Sequence, residues 1–202
     1  MRRTLNIAPI AMHTLLCSLL LLAACTSPRT YSTRYYKHNK GTLDSIISSY
    51  REITAGKPLS IGFTDPKLTH LSFELFTGEL RIIKEFNIAD TAAIVNTLHE
   101  YHYPVARVAG LLSTMKRIHS HWISTDSYYI PFHDTAYMRG NYTFVSIKPT
   151  DFHAPFSNSR YYVLVYMQPG FSRDSLTQPI IQKSGLRQLA PAVFYKVSDR
   201  FR

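Results

Sequence analysis

The sharpest alternation of apolar and polar residues lies between Leu71 and Phe86. Leu71, Phe73 and Leu75 alternate with Ser72 and Glu74, Thr77-Gly78 supplies a tight turn, and Leu80 to Phe86 runs back. A period of two sends successive side chains to opposite faces of a strand. The pattern therefore predicts a hairpin that buries Leu71, Phe73, Leu75, Leu80 and Ile82 and leaves Ser72, Glu74 and Arg81 on the solvent side. Upstream the spacing is helical: Leu43, Ile46, Ile47, Tyr50 and Ile53 recur every three or four positions, with Thr42 as N-cap and Gly56 at the stop. Pro58 leads into a short strand, Leu59 to Thr64, closed by Asp65-Pro66.

After the hairpin, Asn87 or Asp90 caps a second helix with Ile94, Val95, Leu98 and Tyr101 on its inner face. Tyr103-Pro104 ends it, because proline drives the residue before it out of helical geometry. Pro104 then opens a third helix, with an apolar stripe from Val108 through Leu111, Leu112, Met115 and Ile118 to Trp122. Strands are expected at Ser127–Phe132, Tyr142–Lys148 and Tyr161–Met167, the last apolar on both faces and so central. Helices are expected near Ser175–Lys183 and Pro191–Phe201. This order predicts an α+β fold, an antiparallel sheet of about five to six strands with helices packed on one face.

The amino terminus follows another rule. Arg2 and Arg3 precede an uncharged stretch, Ile7 to Ala24, which ends Leu22-Ala23-Ala24-Cys25. A basic start, a short apolar run and small residues before a cut site describe an export signal. Leu-Ala-Ala-Cys resembles the lipobox of bacterial lipoproteins. The resemblance covers roughly the first 25 residues. It implies cleavage before Cys25, a thioether lipid on that cysteine and acylation of the new amino terminus by chains such as palmitate. Two or more acyl chains give stable anchoring where one does not. An apolar run of roughly 18 residues also reaches the lower limit for a membrane span. Thr26-Ser27-Pro28 follows it directly, however, with no basic stop-transfer cluster.

That reading divides the chain into a signal peptide (1–24), a lipidated cysteine with a polar, basic tether (25–41) and one α+β domain (42–202). Cys17 leaves with the signal and the lipid consumes the sulfur of Cys25. No disulfide, thiol nucleophile or cysteine metal ligand is left, so packing must hold the domain together. The formal charge is +10, or +8 once Arg2 and Arg3 are gone. A basic surface outside the cytoplasm suits anionic lipid head groups, lipopolysaccharide or acidic glycan rather than nucleic acid, and the expected partners are the membrane, through the lipid on Cys25, with an envelope protein, glycan or anionic lipid.

Two groups of residues carry candidate chemistry. His99 and His102 stand three apart on a predicted helix with Glu100 between them, and His119 and His121 end the next. Imidazole with carboxylate suits zinc, but a zinc site needs three or four convergent ligands and only the first pair is placed together by spacing. Tyr128, Tyr129, Tyr161 and Tyr162 head an aromatic-rich region whose polar-tipped rings suit a glycan or protein surface. A hydrolase triad can be drawn from His133-Asp134 with Ser124, Ser127 or Ser146. No Gly-x-Ser-x-Gly elbow supports it, and no glycine-rich phosphate loop is present. No cofactor is implied. The expected protein is a non-catalytic binding or scaffolding lipoprotein of the cell envelope, on the outer membrane facing the periplasm. The alternatives are an envelope hydrolase or metal-dependent enzyme built on the histidine-rich helices, and an inhibitor or immunity-type lipoprotein using the loop 150–159.

Overall fold

The structure, a computed structural model, describes residues 27–77, 80–125, 142–148, 161–168 and 184–198. Its first element is α1, Pro28–Ile53. Ser27 caps it with extended backbone, its Oγ accepting the Thr30 N–H at 3.2 Å, and Pro28 occupies the first helical position. The helix thus begins at Pro28 rather than Thr42, and most of the segment read as a tether is ordered helix. Ser32, Tyr36, Leu43, Ile46, Ile47, Tyr50 and Ile53 form one buried stripe. Tyr36 belongs to the core, and Tyr31 and Tyr35 are partly buried against it. Their hydroxyls reach backbone carbonyls, as Tyr35 does in donating to the Ile118 oxygen at 2.8 Å.

The strands are β1 (Leu59–Phe63), β2 (His70–Thr77), β3 (Leu80–Asn87), β4 (Trp122–Ser124), β5 (Tyr142–Lys148), β6 (Tyr161–Met167), β7 (Arg187–Ala190) and β8 (Val193–Ser198). They form one sheet in the order β3-β2-β1-β4-β5-β6-β8-β7, and every pairing between neighbours is antiparallel. Two helices, α2 (Thr91–Glu100) and α3 (Val105–Arg117), connect β3 to β4. The fold is α+β, with eight strands among the described residues rather than five to six. The difference arises at β4, β7 and β8, none of them expected. Trp122, read as the end of a helical stripe, opens β4. The segment after Pro191, read as a helix, is β8, whose Val-Phe-Tyr-Lys-Val run carries β-branched and aromatic residues that favour strands. The expected strand at 127–132, and the helix at 175–183, lie outside the described residues.

The hairpin forms as predicted, with Leu75 opposite Ile82 and Thr77 opposite Leu80. β3 is an edge strand, however, and Leu80 is 69 % exposed. One face of the sheet carries Leu59, Ile61, Phe63, Leu71, Phe73, Leu75, Ile123, Val145 and Leu164, packed with the buried residues of all three helices. The other face has its own core of Trp122, Tyr142, Phe144, Tyr161, Val163, Val165 and Phe194. Ser72 and Glu74, expected in solvent, point to this second face and are fully buried. The alternation therefore separates two buried faces of different polarity rather than an inside from an outside. Arg81 donates to Glu74 Oε1 at 2.9 Å, and Ser60 Oγ lies 2.8 Å from Ser124 Oγ.

The close pairing of β1 with β4 depends on Gly62, which faces Trp122. A Cβ at Gly62 would collide with the carbonyl oxygen of His121 and stand 2.7 Å from Trp122 Cα. α1 lies on α3 and across β5, β6 and β8, so the first helix bridges to the carboxy-terminal half of the sheet. Among the described residues no helix is long and apolar enough to cross a membrane.

Candidate functional site

The helix ends decide where the histidines go. α2 and α3 terminate in the same way. Tyr103 N–H returns to Leu98 O at 2.8 Å and His102 N–H to His99 O at 3.0 Å. Likewise Ser120 N–H returns to Met115 O at 2.9 Å and His119 N–H to Lys116 O at 3.2 Å. This is the Schellman pattern, whose first residue past the cap takes a left-handed backbone and is usually glycine. Here histidine fills it twice, with φ of 57° at His102 and 53° at His119. His102 thereby leaves the helical face it would share with His99. His102 and His119 end up at opposite ends of α3, about 20 Å apart along its axis at 1.5 Å per residue. His99, His102 and His119 are exposed, whereas His121 is buried. Among the described residues no three metal-ligating side chains come together.

The aromatic candidates are also divided. Tyr161 is buried in the second-face core. Tyr162, half-buried on the helix-covered face, meets Tyr31 edge-on with ring centroids 5.3 Å apart. Tyr128 and Tyr129 lie outside the described residues, as do Ser127, His133, Asp134 and the loop 150–159. Ser124 and Ser146 are buried on the second face.

His121 has an environment unlike the other three. Its N–H donates to Ser146 O at 2.8 Å and its carbonyl accepts from Phe63 N–H at 2.6 Å, fixing the backbone between β1 and β5. Its Nδ1 is buried with no hydrogen-bond partner among the described residues. Burial, and then the neighbouring His119, lower its pKa to about 4 despite the opposing charge of Asp65. Burial pushes the Asp65 carboxyl up, but it accepts from Thr69 and His70 N–H at 2.8 and 2.7 Å and from the Thr69 hydroxyl at 2.8 Å, and with these bonds its pKa is lowered overall.

Sequence reasoning missed a cleft of about 940 Å³ at one end of the sheet. The last turn of α1 and the loop after it provide Arg51, Thr54 and Lys57. The α2–α3 turn provides Glu100, Tyr101, His102 and Tyr103, and strand ends add Phe76, Thr77, Thr125 and Gln168. Each wall has a local cause. Thr54 Oγ1 donates to Tyr50 O at 2.9 Å and closes α1, Gly56 turns the chain with φ of 79°, and Tyr103 OH donates to Pro58 O at 3.1 Å. Burial pushes the Tyr103 hydroxyl up to about 12, so it stays a neutral donor. Arg51 is pinned by bonds from Nη2 to Met167 O at 3.2 Å and from Nε to Thr143 Oγ1 at 3.4 Å. Burial lowers its pKa, yet guanidinium keeps its charge throughout the working range. Arg51 and Lys57 face a single carboxylate, Glu100, among the described lining residues, with aromatic walls and three threonines. A concave site of this size with a few converging polar groups suits a small ligand or chain terminus, and its charge suits an anion. The cue was legible only as scattered residues, because the cleft is assembled from five chain segments.

No protein-family model, curated protein or solved structure matches this chain.

Proposed function

We propose that this protein is a lipid-anchored envelope lipoprotein, facing the periplasm from the outer membrane, that works as a binding module for an anionic group. The cleft at the end of the sheet carries the reading. A guanidinium held by two hydrogen bonds to the sheet loses little freedom on binding, which makes Arg51 a preorganised anion contact. Lys57 adds positive charge at the rim, and His102 a ring nitrogen able to hydrogen-bond. The Leu22-Ala23-Ala24-Cys25 box supports the anchor and the location. The split of His99, His102, His119 and His121 between two ends of α3 favours binding over chemistry at those helices.

Capture of partners from detergent-solubilised envelope tests the binding role. Wild-type protein and Lys57→Glu, which reverses an exposed rim charge, are compared by mass spectrometry of what they retain. A specific ligand or protein kept by the wild type and lost by the variant is expected. Identical retention by both would sink the cleft as the binding site. The same digest reports on the anchor: a diacyl or triacyl Cys25 peptide is expected, and an intact peptide joining Ala24 to Cys25 in mature protein would refute lipidation.

A further inference from the structure

One side of α1 is cationic and exposed. Residues 27–43 contain Arg29, Arg34, Lys37 and Lys40 and no carboxylate, the first acid of the whole chain being Asp44. At 100° per residue, Arg29, Lys40, Lys37 and Arg34 fall within one half of the helix circumference. All four are exposed. Lys40 is taken up by Asp44 at 2.8 Å, while Arg29, Arg34 and Lys37 border a shallow groove with Thr30, Thr33 and His38. The opposite half of the helix is locked inward. Tyr36 is buried, Tyr35 donates to Ile118 O, and Tyr31 packs on Tyr162. The helix cannot roll, so its cations point permanently away from the sheet.

From these positions we infer that this side of α1 is a docking surface for anionic phospholipid head groups, and that the domain rests on the membrane rather than hanging from it. The inference rests on Cys25 being the anchor. Only Thr26 separates Cys25 from the cap residue Ser27. Three residues, from Cys25 to Pro28, span at most about 10 Å when fully extended. That is about one Debye length at physiological salt, so the start of α1 stays inside the field of the head groups. The positive end of the helix macrodipole, with no acid in the first turn, adds to the attraction. Each cation near an anionic leaflet strengthens attachment roughly fivefold. The arrangement places charge complementarity where the lipid would hold it.

Lysine labelling of the purified lipoprotein tests this. The protein is reconstituted into vesicles of phosphatidylglycerol or of phosphatidylcholine, and acetylation is read peptide by peptide. Lys37 should react at least threefold more slowly in the anionic vesicles, and high salt should abolish the difference. Lys67 and Lys116, both exposed and outside this surface, should react alike in the two. Arg29→Glu with Arg34→Glu should remove the protection of Lys37. Equal labelling of Lys37 in both lipids would overturn the proposal, as would a fall at all three lysines together. The mass of the Cys25 peptide in the same digest keeps the two claims apart. A lipidated Cys25 with unprotected Lys37 refutes the docking surface and spares the anchor. An unmodified Cys25 with protected Lys37 does the reverse.

Discussion

At the scale of single residues, the fold makes its strictest demand at Gly62. A methyl group there meets backbone atoms of His121 and Trp122, which cannot rotate away. Gly62→Ala should therefore cost about 3 kcal/mol or more, at the upper end of overpacking. Gly110 offers the opposite case, since a Cβ there meets nothing within 4 Å and the residue sits mid-helix. Gly110→Ala should stabilise by about 0.5–1 kcal/mol, and urea melts of the two variants give both numbers. His121 makes a demand on pH. Its folded pKa of about 4 lies below the ordinary 6.5, so between those values the unfolded chain binds the extra proton. Stability contributed by neutral His121 is complete above about pH 6.5 and is lost as pH falls towards 4, by roughly 3 kcal/mol at most. Asp65 acts the same way at lower pH, because its lowered pKa yields stability above the carboxylate range that is lost below it. His121→Gln should flatten the profile between pH 6.5 and 4 and leave the lower window in place. An unchanged slope would show that another group governs it.

At the scale of elements, α1 and the β2–β3 hairpin carry the surprises. The amphipathic stripe of α1 was legible from Leu43 onward because its inward residues there are aliphatic. Upstream the stripe continues through Ser32 and Tyr36, a small polar residue and an aromatic, set among arginines and lysines. Hydropathy alone does not register such positions as core. A chain that begins at Thr42 would lose Tyr31, Tyr35 and Tyr36 from the sheet surface. At roughly 1.5–3 kcal/mol for each buried large side chain, that truncation should lower stability by several kcal/mol, read as a large fall in thermal midpoint. An unchanged midpoint would mean that about the first four turns of α1 are dispensable. In the hairpin, Phe73→Ala should cost about 3–5 kcal/mol through the cavity it leaves. Glu74→Ala should cost about 1–3 kcal/mol, since its carboxylate is buried while the guanidinium of its partner Arg81 is one-third exposed and partly screened. Parallel denaturation of the two variants checks the order.

At the scale of the molecule, the sequence carried the fold class and the hairpin but undercounted the sheet. β8 was hidden because Pro191 marks a helix start as readily as a hairpin turn, and only pairing with β6 and β7 decides between them. β4 has three residues, too short for any periodicity. The histidine cluster was drawn from adjacency along the chain, whereas the two Schellman ends set the pairs apart. The cleft was invisible for the converse reason, being composed of residues remote in sequence. With no group of three metal-ligating side chains among the described residues, chelator should leave the cooperative melt unchanged. A drop of several degrees would instead reveal a metal that binds only the folded chain.

The packing of α1 across β5, β6 and β8 also fixes the order in which the molecule can be completed. α1 meets α3 as well, but its seat on the sheet is complete only when β8 is in place. Until then the tyrosine side of α1 and the surface of β6 are uncovered, and the many long-range pairings of the sheet make closure slow. Closure of α1 over the sheet is therefore a late step of folding, however early the helix itself forms.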